Sequence, residues 1–172
     1  MKVLLLNGSP RKNGCTYTAL NVVADALKAE GIDAEVFQAG DPDMENVKAA
    51  AAKLKDSDAL VVGSPVYWAS PSGQIIEFMD RLASVAGKDM LYKPAAAVAS
   101  ARRAGTTATL DVLTKYFSYH QMPVVSSCYW NMVHGNTPEE VMKDEEGVQI
   151  MRVLGKNMAW LLKCIEAGKK AG

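Results

Sequence analysis

Uninterrupted runs of apolar residues, alternating with helical patterns, constrain the fold of this chain most strongly. Such runs are typical of strands that are covered on both faces of a parallel sheet. The first, third and fourth of five predicted strands have this character, which favours a sheet buried between two layers of helices. The predicted strands are Lys2–Leu6, Ala34–Phe37, Ala59–Gly63, Ala95–Ser100 and Val124–Ser127.

Five amphipathic or alanine-rich segments lie between and after these strands. The alternation predicts a doubly wound parallel sheet in a three-layer α/β/α sandwich, and right-handed crossovers favour the strand order 2-1-3-4-5. A ligand then sits at the carboxyl ends of the strands, where the order switches between strands 1 and 3. The predicted helices are Thr16–Glu30, Met44–Lys55, Gly73–Val85, Thr106–Tyr119 and a last one from about Glu145 to Ala167.

Composition excludes several classes of protein. The 19 Lys and Arg residues balance 19 Asp and Glu residues, so the 172-residue chain lacks the basic excess of a nucleic-acid binder. We expect no signal peptide, no membrane span and no membrane partner, and therefore a cytoplasmic protein with a single domain over residues 1–172. The three cysteines, Cys15, Cys128 and Cys164, are too far apart in sequence to predict a metal site or a disulfide scaffold.

The loop after the first strand, Gly8–Cys15, has the residues of an anion site. It is neither a GxGxxG nor a Walker A motif, so it does not predict a dinucleotide or a nucleoside triphosphate. A short loop that leads into a helix suits a single monophosphate, with hydroxyl donors from Ser9 and Thr16 and a charge-assisted contact from Arg11. The alternative is a tight turn with a threonine cap.

The loop after the third strand, Gly63–Gly73, carries two adjacent aromatic residues. Tyr67 and Trp68 are flanked by Pro, Ser and Gly, which makes a wall for a flat ring plausible at the mouth of a parallel sheet. The alternative is that these rings cap the core or join a subunit interface.

The loop after the fourth strand, Ser100–Thr107, carries Arg102 and Arg103. Arginines at a strand end are unsuited to the core. They are left with three roles, namely contact with a phosphate, contact with the electron-rich edge of a heterocycle, or exposure to solvent.

Farther along the chain, Cys128–Gly135 is rich in apolar and aromatic residues and lies outside any predicted helix or strand. It is interpreted as a pocket wall or an interface, with a plain core contact as the alternative. His134 in this segment either aids substrate binding or is structural. The acidic cluster that follows, from Glu139 to Glu146, is interpreted as a solvated helix start without metal.

Together, the loop residues Gly8–Gly14 with Thr16, the run Gly63–Trp68 and the helix Gln74–Leu82 resemble the NADPH-dependent FMN reductase family. The resemblance extends from Met1 to about Trp130. This family belongs to the flavodoxin-like superfamily and includes the iron–sulfur flavoproteins. The resemblance implies a flavodoxin-like fold and bound FMN, with the phosphate on Ser9–Thr16 and the ring against Pro65–Trp68 and Ser100–Gly105.

The residues that this resemblance assigns to FMN are Ser9, Arg11, Asn13, Cys15, Thr16, Pro65, Val66, Tyr67, Trp68, Ser100, Ala101, Arg102, Arg103 and Gly105. Two departures stand out. Relatives often have Asn or Ser at the position of Cys15, which is interpreted here as a small filler. The segment Gln38–Ala52 lacks the cysteines of the iron–sulfur members, so no cluster is expected. The resemblance also implies a homodimer or homotetramer with the flavin near a subunit interface.

The function expected from these features is an FMN-dependent NAD(P)H oxidoreductase. It passes hydride from a nicotinamide to FMN and on to a small acceptor such as a quinone or free flavin. The flavin carries this chemistry, so no catalytic side chain is predicted. The main alternative is a flavodoxin-type electron carrier between proteins, which a net charge of zero disfavours. A flavin-binding sensor or structural protein without turnover and, more weakly, a phosphatase with Cys15 as nucleophile also remain open.

Overall fold

A parallel sheet forms the centre of the computed structural model, which describes residues 1–171. Its strands are β1 (Lys2–Asn7), β2 (Asp33–Gln38), β3 (Ala59–Tyr67), β4 (Ser70–Pro71), β5 (Ala95–Ala101) and β6 (Met132–His134). The strand order is β2-β1-β3-β5-β6, and the short strand β4 pairs antiparallel with the end of β3. The predicted doubly wound order is therefore confirmed.

Helices cover both faces of this sheet. Within the described residues they are α1 (Cys15–Ala29), α2 (Met44–Lys55), α3 (Gly73–Met90), α4 (Thr106–Tyr119), α5 (Pro138–Lys143) and α6 (Glu145–Ala171). None of them is both long enough and apolar enough to cross a membrane.

Alternate residues of the strands supply two separate cores. Val3 and Leu5 of β1 pack with α1, α5 and α6, whereas Leu4 and Leu6 pack with α2, α3 and α4. All four side chains are fully buried. Burial of each such leucine or valine stabilises the fold by about 1.5–3 kcal/mol, which explains why the strand reads as one apolar run.

The loop predicted after the third strand is partly a hairpin. β3 continues to Tyr67 and pairs with β4, and the two residues between them, Trp68 and Ala69, have φ angles of 52° and 57°. Two successive positive φ angles are the pattern of a type I′ hairpin turn, which usually contains Asn and Gly. Sequence patterns did not predict this turn, since neither residue is typical of it.

The predicted fifth strand Val124–Ser127 is wrong in its position. Only Val124 forms a bridge to β5, and the ladder resumes at β6, within the segment that was expected to lack a strand. Between them the chain turns toward α6. Ser127 Oγ donates to the Ile150 carbonyl at 2.6 Å, and Asn157 Nδ2 donates to the Ser126 carbonyl at 2.9 Å. These contacts draw the polar half of the predicted strand away from the sheet edge.

The acidic cluster is also more structured than the prediction of a single helix start. α5 ends at Lys143, and α6 begins at Glu145. Asp144 between them caps both helices, since its N–H bonds to carbonyls of α5 and its carboxylate accepts from the Gly147 N–H at 3.0 Å. One residue therefore separates two helices within the cluster that was interpreted as a single helix start.

Candidate functional site

A cavity of about 230 Å³ lies at the carboxyl edge of the sheet, where the loops after β1, β3, β5 and β6 meet. This position is the predicted switch point between the first and third strands. The lining residues are Ser9, Arg11, Cys15, Thr16, Pro65, Val66, Tyr67, Ser100, Ala101, Arg102, Gly135 and Asn136.

The loop after β1 is held from beneath by two amide side chains. Asn7 is fully buried, accepts from the Ser9 N–H at 3.2 Å and donates to the Lys12 carbonyl at 3.2 Å. Its partner Gln38 accepts from Asn7 Nδ2 at 2.7 Å and donates to the Ser9 carbonyl at 2.7 Å. The loop therefore has its shape before a ligand arrives, which lowers the ordering cost of binding.

Buried hydroxyl groups line the floor of the cavity. Thr16 Oγ1 and Ser100 Oγ lie 2.7 Å apart and tie the start of α1 to the end of β5. Ser9 Oγ accepts from the Arg11 N–H at 3.1 Å. Each hydroxyl retains hydrogen-bonding capacity for a further partner, because one such group is both a donor and an acceptor.

The starts of α1 and α4 differ from those of the other helices. α1 begins after Gly14 and α4 after Gly105, and neither has a side-chain cap among residues 1–171. First-turn N–H groups without a cap remain available to an anion, and the helix dipole favours negative charge there. Both helices follow loops that line the cavity. The capping side chains of the other four are Asp43, Ser72, Thr137 and Asp144.

The lining of this site carries positive charge and no acid. Outside the lining lies Glu140, whose pKa is lowered first by hydrogen bonds from Asn136 and also by the charge of Arg102. Arg11 and Arg102 belong to the lining, which contains no Asp or Glu. Neither arginine forms an ion pair within the described part of the chain. The cavity thus offers hydroxyl groups, open backbone donors and two cations to a ligand, a set that suits an anion.

Cys15 at the start of α1 behaves as a structural thiol. Burial raises its pKa and outweighs the opposing effects of a backbone hydrogen bond and the charge of Arg11, and the carboxylates of Glu140 and Glu139 act in the same direction as burial. A raised pKa keeps the thiol protonated at neutral pH. Its Sγ donates to the Gly135 carbonyl at 3.6 Å and so joins α1 to the end of β6. A phosphatase nucleophile needs the opposite shift.

At the rim, two loops pack so closely that only glycine fits between them. A Cβ on Gly105, whose φ is 99°, would lie 2.8 Å from Ala69 Cα and from Val66 Cγ1. The hairpin after β3 and the loop after β5 therefore support each other. Tyr67 is 41% exposed and Trp68 is 100% exposed at the tip. Holding two non-glycine residues at positive φ costs of the order of 1–3 kcal/mol each, and such strain tends to occur at functional sites.

The structure brings most of the sequence-predicted site residues into one lining. Asn13, Trp68, Arg103 and Gly105 lie outside that lining, and of these Trp68 and Arg103 directly follow residues that belong to it. Gly135 ends the segment Cys128–Gly135 that was interpreted as a pocket wall or an interface, and it belongs to the lining. Sequence reasoning missed the next residue, Asn136, and the supports Asn7 and Gln38. A polar residue at the end of an otherwise apolar strand, as in Leu4–Asn7, is the signal that points to Asn7.

Comparison with known proteins identifies the family. The sequence matches the model of the NADPH-dependent FMN reductase family over residues 1–137. The chain belongs to this family. Membership makes it a flavoprotein of the oxidoreductase class, and residues 138–171, with α5 and α6, lie beyond the matched region.

Individual relatives agree with this assignment. An iron–sulfur flavoprotein of Methanocaldococcus jannaschii is 29% identical over 192 aligned residues, covering 96% of this chain and 100% of that protein. An NADPH azoreductase of Bacillus sp. is 30% identical over 108 residues, covering 59% of each chain. The solved structure of a flavodoxin from the domain Archaea superposes with a TM-score of 0.72 at 18% identity, covering 95% of this chain and 99% of that one. This last likeness concerns the flavodoxin-like fold, which was predicted and is confirmed.

The alignment with the iron–sulfur flavoprotein is longer than this chain, 192 against 172 residues, so that relative contains segments that this chain lacks. Within residues 1–171, Cys128 and Cys164 are exposed, and no group of three or more His, Cys, Asp or Glu side chains is arranged to hold a metal. The absence of a cluster in this family member stays a prediction.

Proposed function

We propose that this protein is an FMN-dependent NAD(P)H oxidoreductase that passes hydride from a nicotinamide through FMN to a small acceptor such as a quinone or free flavin. The family model, named for NADPH-dependent FMN reduction, and the relative named as an NADPH azoreductase both support this activity. One observation in the structure carries the proposal, namely the uncapped start of α1 beside a cavity that holds two arginines and no acid.

The residues of the cavity fit the phosphate end of FMN. Ser9 and Thr16 offer hydroxyl groups, Arg11 offers charge, and the first turn of α1 from Cys15 offers backbone N–H groups. We assign the phosphate to this set and to the neighbouring Asn13. A volume of about 230 Å³ is below the usual range of roughly 300–1,000 Å³ for pockets that enclose a whole ligand, so part of the cofactor extends to the rim.

We assign the flavin ring to that rim, between the hairpin Pro65–Trp68 and the loop Ser100–Gly105. Tyr67 and Trp68 supply exposed aromatic surface, and Pro65 limits the freedom of the hairpin. Bound FMN supplies the redox chemistry, because it accepts hydride from nicotinamides and passes electrons to other acceptors. The role of Arg102 is to place positive charge where negative charge develops on the reduced ring.

We propose further that this single domain assembles as a homodimer or homotetramer in the cytoplasm, without a nucleic-acid or membrane partner. Fully exposed Trp68 supports the assembly, as do Tyr129 and Trp130, which are 52% and 57% exposed. Large aromatic side chains of this kind are enriched at protein interfaces.

The absorption spectrum of the purified protein, with release and identification of bound flavin, tests the cofactor. We expect FMN, and we expect the loaded protein to oxidise NADH or NADPH steadily when a quinone is supplied. Colourless protein that also fails to bind added FMN would contradict the cofactor assignment. FMN-loaded protein that consumes neither nucleotide with any acceptor would contradict the reductase, and electron exchange with a redox protein partner would then favour the carrier.

A further inference from the structure

His134 occupies a connecting position beside the proposed flavin site. It is the last residue of β6 and is paired with Ala101 at the end of β5. Its Nε2 lies 3.1 Å from the carbonyl oxygen of Arg103, and its Nδ1 lies 3.9 Å from Asp144 Oδ2. The imidazole therefore stands between the loop after β5 and the junction of α5 with α6.

Asp144 fixes the backbone that carries this imidazole. Its Oδ2 accepts from the His134 N–H at 2.7 Å, and its Oδ1 accepts from the Gly147 N–H at 3.0 Å. The side chain of Asp144 is 21% exposed, whereas that of His134 is 43% exposed. Both carboxylate oxygens of Asp144 therefore accept backbone hydrogen bonds. This fixes the backbone of His134 and limits the positions that its imidazole can adopt.

The loop that the imidazole contacts is the one that places Arg102 in the cavity. This loop is held at its beginning by the bond from the Gly135 N–H to the Ala101 carbonyl at 3.0 Å, and at its end by the packing of Gly105 against the hairpin. Between these two points, within residues 1–171, the loop is held by the hydrogen bond between His134 Nε2 and the Arg103 carbonyl.

We infer that His134 is a positioning residue that holds the loop after β5 so that Arg102 faces the flavin. This inference rests on the proposed function, since it assigns His134 a part in FMN binding. The carbonyl of Arg103 is only an acceptor, so Nε2 must carry the hydrogen. The side chain therefore acts through a single N–H donor, Nε2. A different side chain that places an N–H donor at a similar distance from the backbone is expected to replace it.

The substitutions His134→Ala and His134→Gln separate this role from general packing. Loss of one hydrogen bond in His134→Ala is expected to raise the Kd for FMN about three- to tenfold. It is also expected to make the midpoint potential of bound FMN more negative, because Arg102 then stabilises the reduced ring less well. His134→Gln, whose amide donates over a similar reach, is expected to return both values to within about twofold of the wild type.

His120→Ala is the matched control. His120, the only other histidine, lies at the far end of α4, where its Nδ1 is 2.7 Å from the Tyr116 carbonyl. This variant is expected to keep the FMN affinity and the potential of the wild type. An His134→Ala variant with unchanged affinity and potential overturns the inference, as does an His134→Gln variant that is as impaired as His134→Ala.

A measurement without flavin keeps the inference distinct from the proposed function. Amide hydrogen exchange in residues 102–105 of the flavin-free protein is expected to be faster in His134→Ala than in the wild type and in His120→Ala. If the wild-type protein binds no FMN while this exchange increases, the proposed function fails and the positioning contact stands. If exchange does not change, the contact itself is without effect.

Discussion

Two kinds of helix start meet at the carboxyl edge of this sheet. α2, α3, α5 and α6 begin with a side chain that caps the first turn, whereas α1 and α4 begin with glycine and no cap. With glycine at the N-cap position, a missing side-chain cap costs only about a few tenths of a kcal/mol. The uncapped helices are the two that follow the loops lining the cavity with Arg11 and Arg102. First-turn N–H groups are therefore capped by side chains in α2, α3, α5 and α6. They have no side-chain cap in α1 and α4, which lie where we place the phosphate and the ring.

The contrast extends to how each start is supported. Ser72 caps α3, and its hydroxyl also donates to the Gly8 carbonyl at 2.8 Å, so this cap stabilises the neighbouring loop as well. At α1, the supporting bonds come instead from Asn7 and Gln38 beneath the loop. The loop Gly8–Cys15 is thus held by hydrogen bonds that do not involve the first-turn N–H groups of α1, which a ligand needs.

Capping α1 by substitution is expected to give the largest effect. Gly14→Asp places a carboxylate beside the first-turn N–H groups, and the extended backbone at Gly14, with φ −91° and ψ −168°, accepts a side chain. Two like charges 4 Å apart near a protein surface repel by about 4 kcal/mol. The affinity for FMN is expected to fall at least about a hundredfold, as measured by titration of flavin fluorescence.

The neutral variant Gly14→Asn separates charge from bulk, since the new Cβ comes within 3.2 Å of Arg11 Cβ in both. It is expected to bind FMN more tightly than Gly14→Asp. Both variants should be as stable as the wild type without flavin, because a cap on an open helix start is favourable. Equal losses of affinity in the two variants would mean that crowding, and not an anion site, is responsible.

Removal of the buried hydroxyl at the same helix start is expected to have an intermediate effect. Thr16→Val deletes the group that lies 2.7 Å from Ser100 Oγ and lines the cavity. A hydrogen bond to a charged ligand is worth about 1.5–3 kcal/mol, so the Kd for FMN should rise at least about tenfold. Thr18→Val is the control, because the Thr18 hydroxyl donates to the Gly14 carbonyl and lies outside the lining. Similar losses in both variants would place the effect in the helix instead of the cavity.

Local sequence patterns predicted most of the fold. The runs at Lys2, Ala59 and Ala95 are buried on both faces, and such strands have few alternatives, so their position and order were predictable. The bounds of α2 and α4 also matched the prediction, because the buried residues of each helix recur at helical spacing.

What could not be predicted depends on contacts between distant residues. The last strand moved from Val124 to Met132 because the Ser127 hydroxyl and the Ser126 carbonyl between them form hydrogen bonds with α6. Asp144 reads as one more acid in an acidic run, and only the tertiary structure shows that it caps α6 and supports His134. After β6, Gly135 fell within the segment interpreted as a pocket wall or an interface, but Asn136 was missed. The loops after β1, β3 and β5 carry recognisable Gly, Ser, Pro and Arg patterns.

The smallest effect on FMN is expected at a capped helix. Asp43 accepts from the Glu45 N–H at 3.2 Å at the start of α2 and lies outside the cavity lining. Asp43→Ala should lower the free energy of unfolding by about 1 kcal/mol, measured by urea denaturation of the flavin-free protein. Its Kd for FMN should stay within about twofold of the wild type, because the lost bond is made within the chain. A loss of affinity comparable to that of Thr16→Val would show that helix capping anywhere along this edge controls the cavity. The distinction between open and capped helix starts would then describe stability alone and would give no information about where the ligand binds.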